Sequence, residues 1–360
     1  MFNLDRHGSS GTPFICATDT ATPDSGGWTV RIIPLSVTLT VLLGVVSLIS
    51  LCIGSTSLPL ADVLAGILGK GDPRITMVIQ DIRVPRLLLG LEVGAALGLS
   101  GATLQGLLRN PLAEPGLTGI SPAAGLGAVV ALYHGLSSAS GWAVPLFALG
   151  AAAIATLVLA LLARKGRDGT DLVLGGMAIS GVAVALTAVA LNLAPNPWAV
   201  SEMVLWLMGS LKDRSMDDVL LCTPFILVGS LIALSTGRAL DALSLGLETA
   251  SSLGIKIARL HTLVIIGIAA SVGGAVAVTG AIGFVGLVVP HLLRPLVSRK
   301  PSHLLLPSAL GGALLLVLAD CLVRIIPTRQ EMMIGVVTAL VGTPFFIALV
   351  LRYRQGVSQA

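Results

Sequence analysis

The sequence predicts an all-α integral membrane protein of about ten transmembrane helices. Three observations carry that expectation. Hydrophobic residues make up 54% of the chain and charged residues 11%, with a mean hydropathy of +0.95. A water-soluble domain carries about 25% charged residues, so a chain this poor in charge could not cover its own surface in water. The apolar residues also fall in long runs, near the roughly 20 residues that a helix needs to cross the hydrocarbon core. Finally, the runs are continuous, whereas strands of a membrane barrel would alternate every second residue. Lipid offers no partner to backbone polar groups, so such runs must be helices.

In chain order the candidate spans are 32–53, 86–107, 118–135, 141–163, 172–194, 218–237, 261–280, 281–296, 304–325 and 333–351. Residues 1–30, rich in Ser, Thr, Gly, Asp and Pro, read as a disordered cytoplasmic tail. The first apolar run is long enough to span and reads as a retained anchor, not a cleavable signal. The second span opens at Arg83-Val84-Pro85-Arg86, where Pro85 suits a helix start because its missing N–H costs nothing there. The third is broken by Gly and Pro. The seventh and eighth form one apolar run of 36 residues, 261–296, too long for a single crossing and divided near Gly280 and Gly283. Residues 31–354 are thus the ten-helix domain, and 355–360 a short cytoplasmic tail.

Orientation follows from Lys and Arg, which favour the cytoplasmic side. With the N-terminus inside and ten crossings, 14 of the 22 Lys and Arg residues fall inside and 8 outside. Both termini are therefore expected in the cytoplasm. The net charge of +4 reflects this orientation and is no sign of nucleic-acid binding. Cys52, Cys222 and Cys321 lie in or at the ends of apolar spans and read as small buried hydrophobes. No pair of cysteines has metal-ligand spacing, so no metal site is expected.

Polar groups inside the spans are few. Glu92 is the one acid well inside an apolar run. It lies six residues after Arg86, about 9 Å along the helix axis, and points the opposite way, so the two cannot pair. An ionised acid facing lipid at that depth would cost about 2–3 kcal/mol or more, so Glu92 must face protein or a wet cavity. Asp320 precedes Arg324 by four residues, a spacing common for structural ion pairs. No Ser/His/Asp set is evident, and Gly66 to Gly71 lacks the spacing of a phosphate loop. The chain is expected to be no enzyme and to bind no cofactor. If ATP drives transport, another polypeptide must hydrolyse it.

Three segments carry a resemblance. The first joins Ile82-Arg83-Val84-Pro85-Arg86 and the glycine-rich 93–101 to Gln105-Gly106-Leu107-Leu108-Arg109-Asn110-Pro111-Leu112-Ala113-Glu114-Pro115-Gly116. The second is Leu243-Ser244-Leu245-Gly246, Glu248, Ala250 and Leu253-Gly254. The third runs from Gly280-Ala281-Ile282-Gly283-Phe284 to Pro290-His291-Leu292-Leu293-Arg294. Together they resemble the permease subunits of bacterial ABC importers for iron–siderophore complexes, haem and vitamin B12, over residues 32 to 354.

The resemblance implies a type II importer permease in the bacterial inner membrane. The permease would form a homodimer or close heterodimer with a substrate path at its interface. Two cytoplasmic ATPase subunits would hold ATP and Mg, and a substrate-binding protein would deliver the cargo. Arg83, Arg86 and Arg324 match outer docking positions for acidic residues of the binding protein, a role that suits the planar, always-charged guanidinium. Leu245, Gly246, Glu248, Ala250, Leu253 and Gly254 match the loop that couples to the ATPase, with Gly254 ending a short helix in the left-handed conformation. Asn110, Leu112, Gly169, Thr170 and Leu174 match a cytoplasmic gate. Trp206 lies in a segment expected to form a short helix near the mouth of the pathway, and serves equally well as an interface anchor. Glu92 departs from the family, which has an apolar residue there; it either bonds to a neighbouring helix or lines the pathway. A ferric siderophore is the first expectation for cargo, then haem, then cobalamin. The competing reading is an ion-coupled secondary transporter.

Overall fold

The computed structural model describes residues 25–54, 56–163, 169–298, 300–326 and 331–357. Its α-helices are α1 (Ser25–Cys52), α2 (Leu60–Ile67), α3 (Pro73–Met77), α4 (Val84–Leu108), α5 (Ile120–Tyr133), α6 (Leu136–Ala139), α7 (Ala143–Ala163) and α8 (Thr170–Asn192). Then follow α9 (Pro197–Leu207), α10 (Met216–Ser235), α11 (Gly237–Ser244), α12 (Leu247–Ser252), α13 (Ile257–Thr279), α14 (Val285–Leu293), α15 (Pro301–Ile325) and α16 (Ile334–Val357). Among the described residues, seven helical segments are long and apolar enough to cross a membrane, and three shorter apolar ones lie at Ile120–Tyr133, Val285–Leu296 and Ile334–Leu349. These ten fall on the ten spans expected from hydropathy.

Three boundaries differ from the sequence reading. Residues 355–357, expected in the C-terminal tail, are the last residues of α16. Residues 25–30, expected in the tail, are the first turns of α1; the rest of that tail, 1–24, and the last residues 358–360 lie outside the described residues. Pro85 does not open a helix. The helical path begins at Pro73 and reaches α4 through a π-turn over Val78–Arg83. A π-turn shifts the hydrogen-bond register by one residue, and Pro85, which lacks an N–H, sits just beyond that break.

α4 is the central post. It packs against α15, α13, α14 and α10, and most of its residues from Leu89 to Leu107 are buried, the pattern of a helix enclosed by others. Small residues let its neighbours approach. A Cβ on Gly98 would lie 2.1 Å from the Ser308 carbonyl oxygen of α15, and one on Gly101 would lie 1.9 Å from that of Gly286 on α14. With no hydrophobic drive between helices in lipid, such backbone-to-backbone packing is what holds a bundle.

Two of the three shorter spans, α5 and α14, have a shared cause. α5 and α14 are each preceded by non-helical chain: 109–119, with a 3-10 turn at Pro115–Thr118, and 280–284, where Gly280 has φ +72°. Non-helical backbone at membrane depth is tolerated only where protein covers it and supplies partners. Both conditions hold. Ala113, Pro115 and Thr118 are buried, and the Glu114 carboxylate accepts from the Phe284 backbone N–H at 2.5 Å. The two interruptions therefore complete one another.

Candidate functional site

The bundle has two polar ends, named here by what they carry. At the arginine end, the last turn of α1 meets the start of α4, the last turn of α15 and the approach to α16. Arg83 donates to the carbonyls of Leu51 (2.6 Å) and Thr56 (2.7 Å). Arg324 donates to the carbonyls of Ser50 and Ile53, each at 2.9 Å. The last carbonyls of a helix lack intrahelical partners and carry the negative end of its dipole. The two guanidiniums thus cap α1, which gives both arginines a role inside the chain. Gly54 makes the space: a Cβ there would lie 2.7 Å from Arg83 Nη2.

Arg86 and Arg324 share Asp320, at 2.9 and 2.8 Å. Arg86 also pairs with Glu331, just before α16. The structure therefore brings the three arginines of the sequence reading together, around a cavity of about 410 Å³. It does not leave them projecting outward, because Arg83 is buried and every one of them has partners within the chain. The i, i+4 pair of Asp320 and Arg324 is present, as its spacing suggested. Sequence reasoning missed Glu331, whose only signal is an acid within three residues of an apolar span.

At the opposite end, α11 and α12 form a hairpin between α10 and α13. Gly246, at φ +114°, turns one into the other, and Gly254, at φ +83°, closes α12 in the left-handed conformation expected of it. Ala250 is fully buried and pins the hairpin, while Leu245 and Leu253 are 66% and 62% exposed, with Glu248 also exposed. The Asp241 carboxylate accepts from the Ser302 backbone N–H (2.8 Å) and hydroxyl (2.6 Å). A negative group at the N-terminus of α15 is favoured by the helix dipole, and this one fastens the hairpin to the bundle. Sequence reasoning missed it, since Asp241 lies 61 residues from its partner.

The residues expected at the cytoplasmic gate lie at this same end. Asn110 follows α4, and its side chain accepts from the Leu112 N–H at 2.9 Å. Gly169, at φ +70°, precedes α8, and a Cβ on it would lie 2.9 Å from Leu108 Cδ2. The end of α4 and the start of α8 are thus in contact, with Thr170 and Leu174 exposed on α8. Between the ends, a cavity of about 410 Å³ is lined by Glu114 and Pro115, Gly283 and Gly286, and Val184 and Thr187 of α8.

Glu92 turns to a neighbouring helix. Thr223 of α10 donates to its carboxylate at 2.9 Å, and Cys222 Sγ lies 3.7 Å away. Trp206, on α9, lines a cavity of about 550 Å³ with Lys212, Arg214 and Glu331. Among the described residues, no group of His, Cys, Asp and Glu could hold a metal ion.

Comparison with known proteins follows the same lines. Residues 42–352 match the FecCD transport family. The chain is 38% identical to the Fe(3+)-citrate import system permease protein YfmE of Bacillus subtilis over 86% of this chain and 92% of that one. It is 39% identical to the vitamin B12 import system permease protein BtuC of Salmonella typhi over 88% of this chain and 94% of that one. It also resembles a solved structure described as a metal-chelate type ABC transporter in an inward-facing conformation, with a TM-score of 0.80 and 34% identity over 89% of this chain and 99% of that one. The chain belongs to the FecCD transport family, whose members are permease subunits of ABC importers.

Proposed function

From that membership we propose that the chain carries an iron chelate across the bacterial inner membrane, with a ferric siderophore as first choice and haem or cobalamin next. The named cargoes of YfmE and BtuC, iron(III) citrate and vitamin B12, support the chelate class. Two copies pair, and the cargo passes between them along faces that include α8 and the cavity beside Glu114. The arginine end faces outward and receives the substrate-binding protein. The opposite end and both termini face the cytoplasm, where two ATPase subunits hold ATP and Mg. The chain itself binds no cofactor.

The observation that carries this reading is the α11–α12 hairpin. Its exposed Leu245 and Leu253 are apolar knobs on a pinned turn, the form a groove on a rigid partner would accept, and Asp241 passes any movement of the hairpin to α15. A secondary transporter has no use for such a part. The test is uptake of labelled chelates into vesicles holding the permease with its ATPase. Uptake should stop with vanadate and persist with a protonophore; the reverse pattern would assign the chain to ion-coupled transport. Cysteine labelling at residue 356 from the cytoplasmic side alone checks the orientation.

A further inference from the structure

Within the ion-pair cluster at the arginine end, guanidiniums outnumber the carboxylates they contact. Three guanidiniums, Arg83, Arg86 and Arg324, face two carboxylates, Asp320 and Glu331. Lys212 and Asp213 beside them pair with each other at 3.8 Å and cancel. The two carboxylates differ. Asp320 is 4% exposed and bonded to two arginines, so it is part of the interior. Glu331 is 21% exposed and bonded to Arg86 alone among the described residues. It stands on the wall of the 410 Å³ cavity that all three arginines line.

Glu331 also ties the start of α16. It lies three residues before α16, whose first turn fits closely: a Cβ on Gly335 would lie 2.2 Å from the Met208 carbonyl oxygen and 2.8 Å from that of Ala281. Met208, Ala281 and α16 line a further cavity of about 560 Å³. The Arg86–Glu331 pair therefore holds the start of α16 against α4 and steadies its seat on the chain after α9 and on the 280–284 turn.

We infer that Glu331 is an internal stand-in for a carboxylate of the docking protein, which displaces it from Arg86 and so releases the start of α16. This rests on the docking reading above and adds to it the group that competes and the helix that responds. The chemistry favours an exchange. Arg86 is already withdrawn from water by its neighbours, so an incoming carboxylate takes over an oriented guanidinium, and Glu331 returns to solvent from a half-open position.

The test titrates the importer's own chelate-loaded substrate-binding protein onto the permease–ATPase complex in nanodiscs. Glu331→Gln should bind it about tenfold more tightly and Arg86→Gln about tenfold more weakly. In the double variant the gain from Glu331→Gln should vanish, because its competitor's target is gone. A spin label on Met332→Cys should be restrained in the unmodified protein and freed by adding the binding protein. In Glu331→Gln it should be free from the start. Unchanged or weaker affinity in Glu331→Gln, with weaker affinity in Arg86→Gln, overturns the stand-in and leaves docking intact. Unchanged affinity in Arg86→Gln overturns docking at this residue as well. Should Glu331→Gln fail to assemble, Glu331→Asp keeps the charge but shortens the reach; binding and label mobility identical to the unmodified protein would count against the exchange.

Discussion

The two ends of the bundle are built on different physics. At the arginine end, order comes from charge gathered over long stretches of sequence: Arg86 meets Asp320 across 234 residues and Glu331 across 245. At the opposite end, order comes mainly from local backbone geometry, with left-handed glycines at 246 and 254, and from one carboxylate set at a helix N-terminus. The first arrangement is strong and brittle, because removing one member strands a buried charge. The second tolerates loss better, because most of its order is local and no charge is left buried without a partner when one turn is lost. On the proposed function, the first design would serve recognition of a partner and the second the transmission of movement.

The comparison breaks most visibly at Asp320. Asp320→Ala leaves Arg86 and Arg324 facing one another without their shared acid. Such a loss costs about 3–5 kcal/mol, and we expect the variant to yield little folded permease in a thermal-shift measurement in detergent. Reversing Arg86 and Arg324 to Glu together should do the same, since it would set four acids around one cavity; a well-assembled, transport-dead double variant would mean that the ion pairs contribute little to the fold. At the other end, Asp241→Ala removes two hydrogen bonds made to a charged group, about 1.5–3 kcal/mol each at most. The permease should still assemble with a lower Tm and should hydrolyse more ATP for each chelate moved. Equal damage from Asp241→Ala and Asp320→Ala would erase the contrast.

Gly254→Val sharpens it. Nothing lies within 4 Å of a Cβ at this position, so the cost is the backbone strain of φ +83° alone, about 1–2 kcal/mol or more for a β-branched residue. The Tm should barely move, while uptake falls and ATP hydrolysis continues; normal uptake would show that the turn does not couple. Glu92→Gln should have the smallest effect. The amide keeps an oxygen to accept from Thr223, so uptake and its pH dependence should match the unmodified protein. A changed pH profile would place the charge of Glu92 in the pathway.

Much of the fold was legible in the sequence because a membrane span is a local property, readable from about 20 consecutive residues. The division of the 261–296 run near Gly280 and the left-handed turn at Gly254 were legible for the same reason. The candidate site was legible only in part. The three arginines could be named, but their roles as caps of α1 and partners of Asp320 and Glu331 depend on residues hundreds of positions away. Pro85 suited a helix start, but the helical path already runs through the π-turn at Val78–Arg83 before it, which a single residue type does not signal.

The sequence by itself therefore determined the solvent, the helices and the family, all written in composition and contiguous motifs. The tertiary structure decided which acid meets which arginine, that Glu114 completes the start of α14, and that Asp241 fastens the α11–α12 hairpin to α15. The physical reason is reach. Hydropathy and turn preference act within a few residues along the chain, whereas a carboxylate acts through space on whichever N–H or guanidinium the packed helices bring within about 3 Å of it.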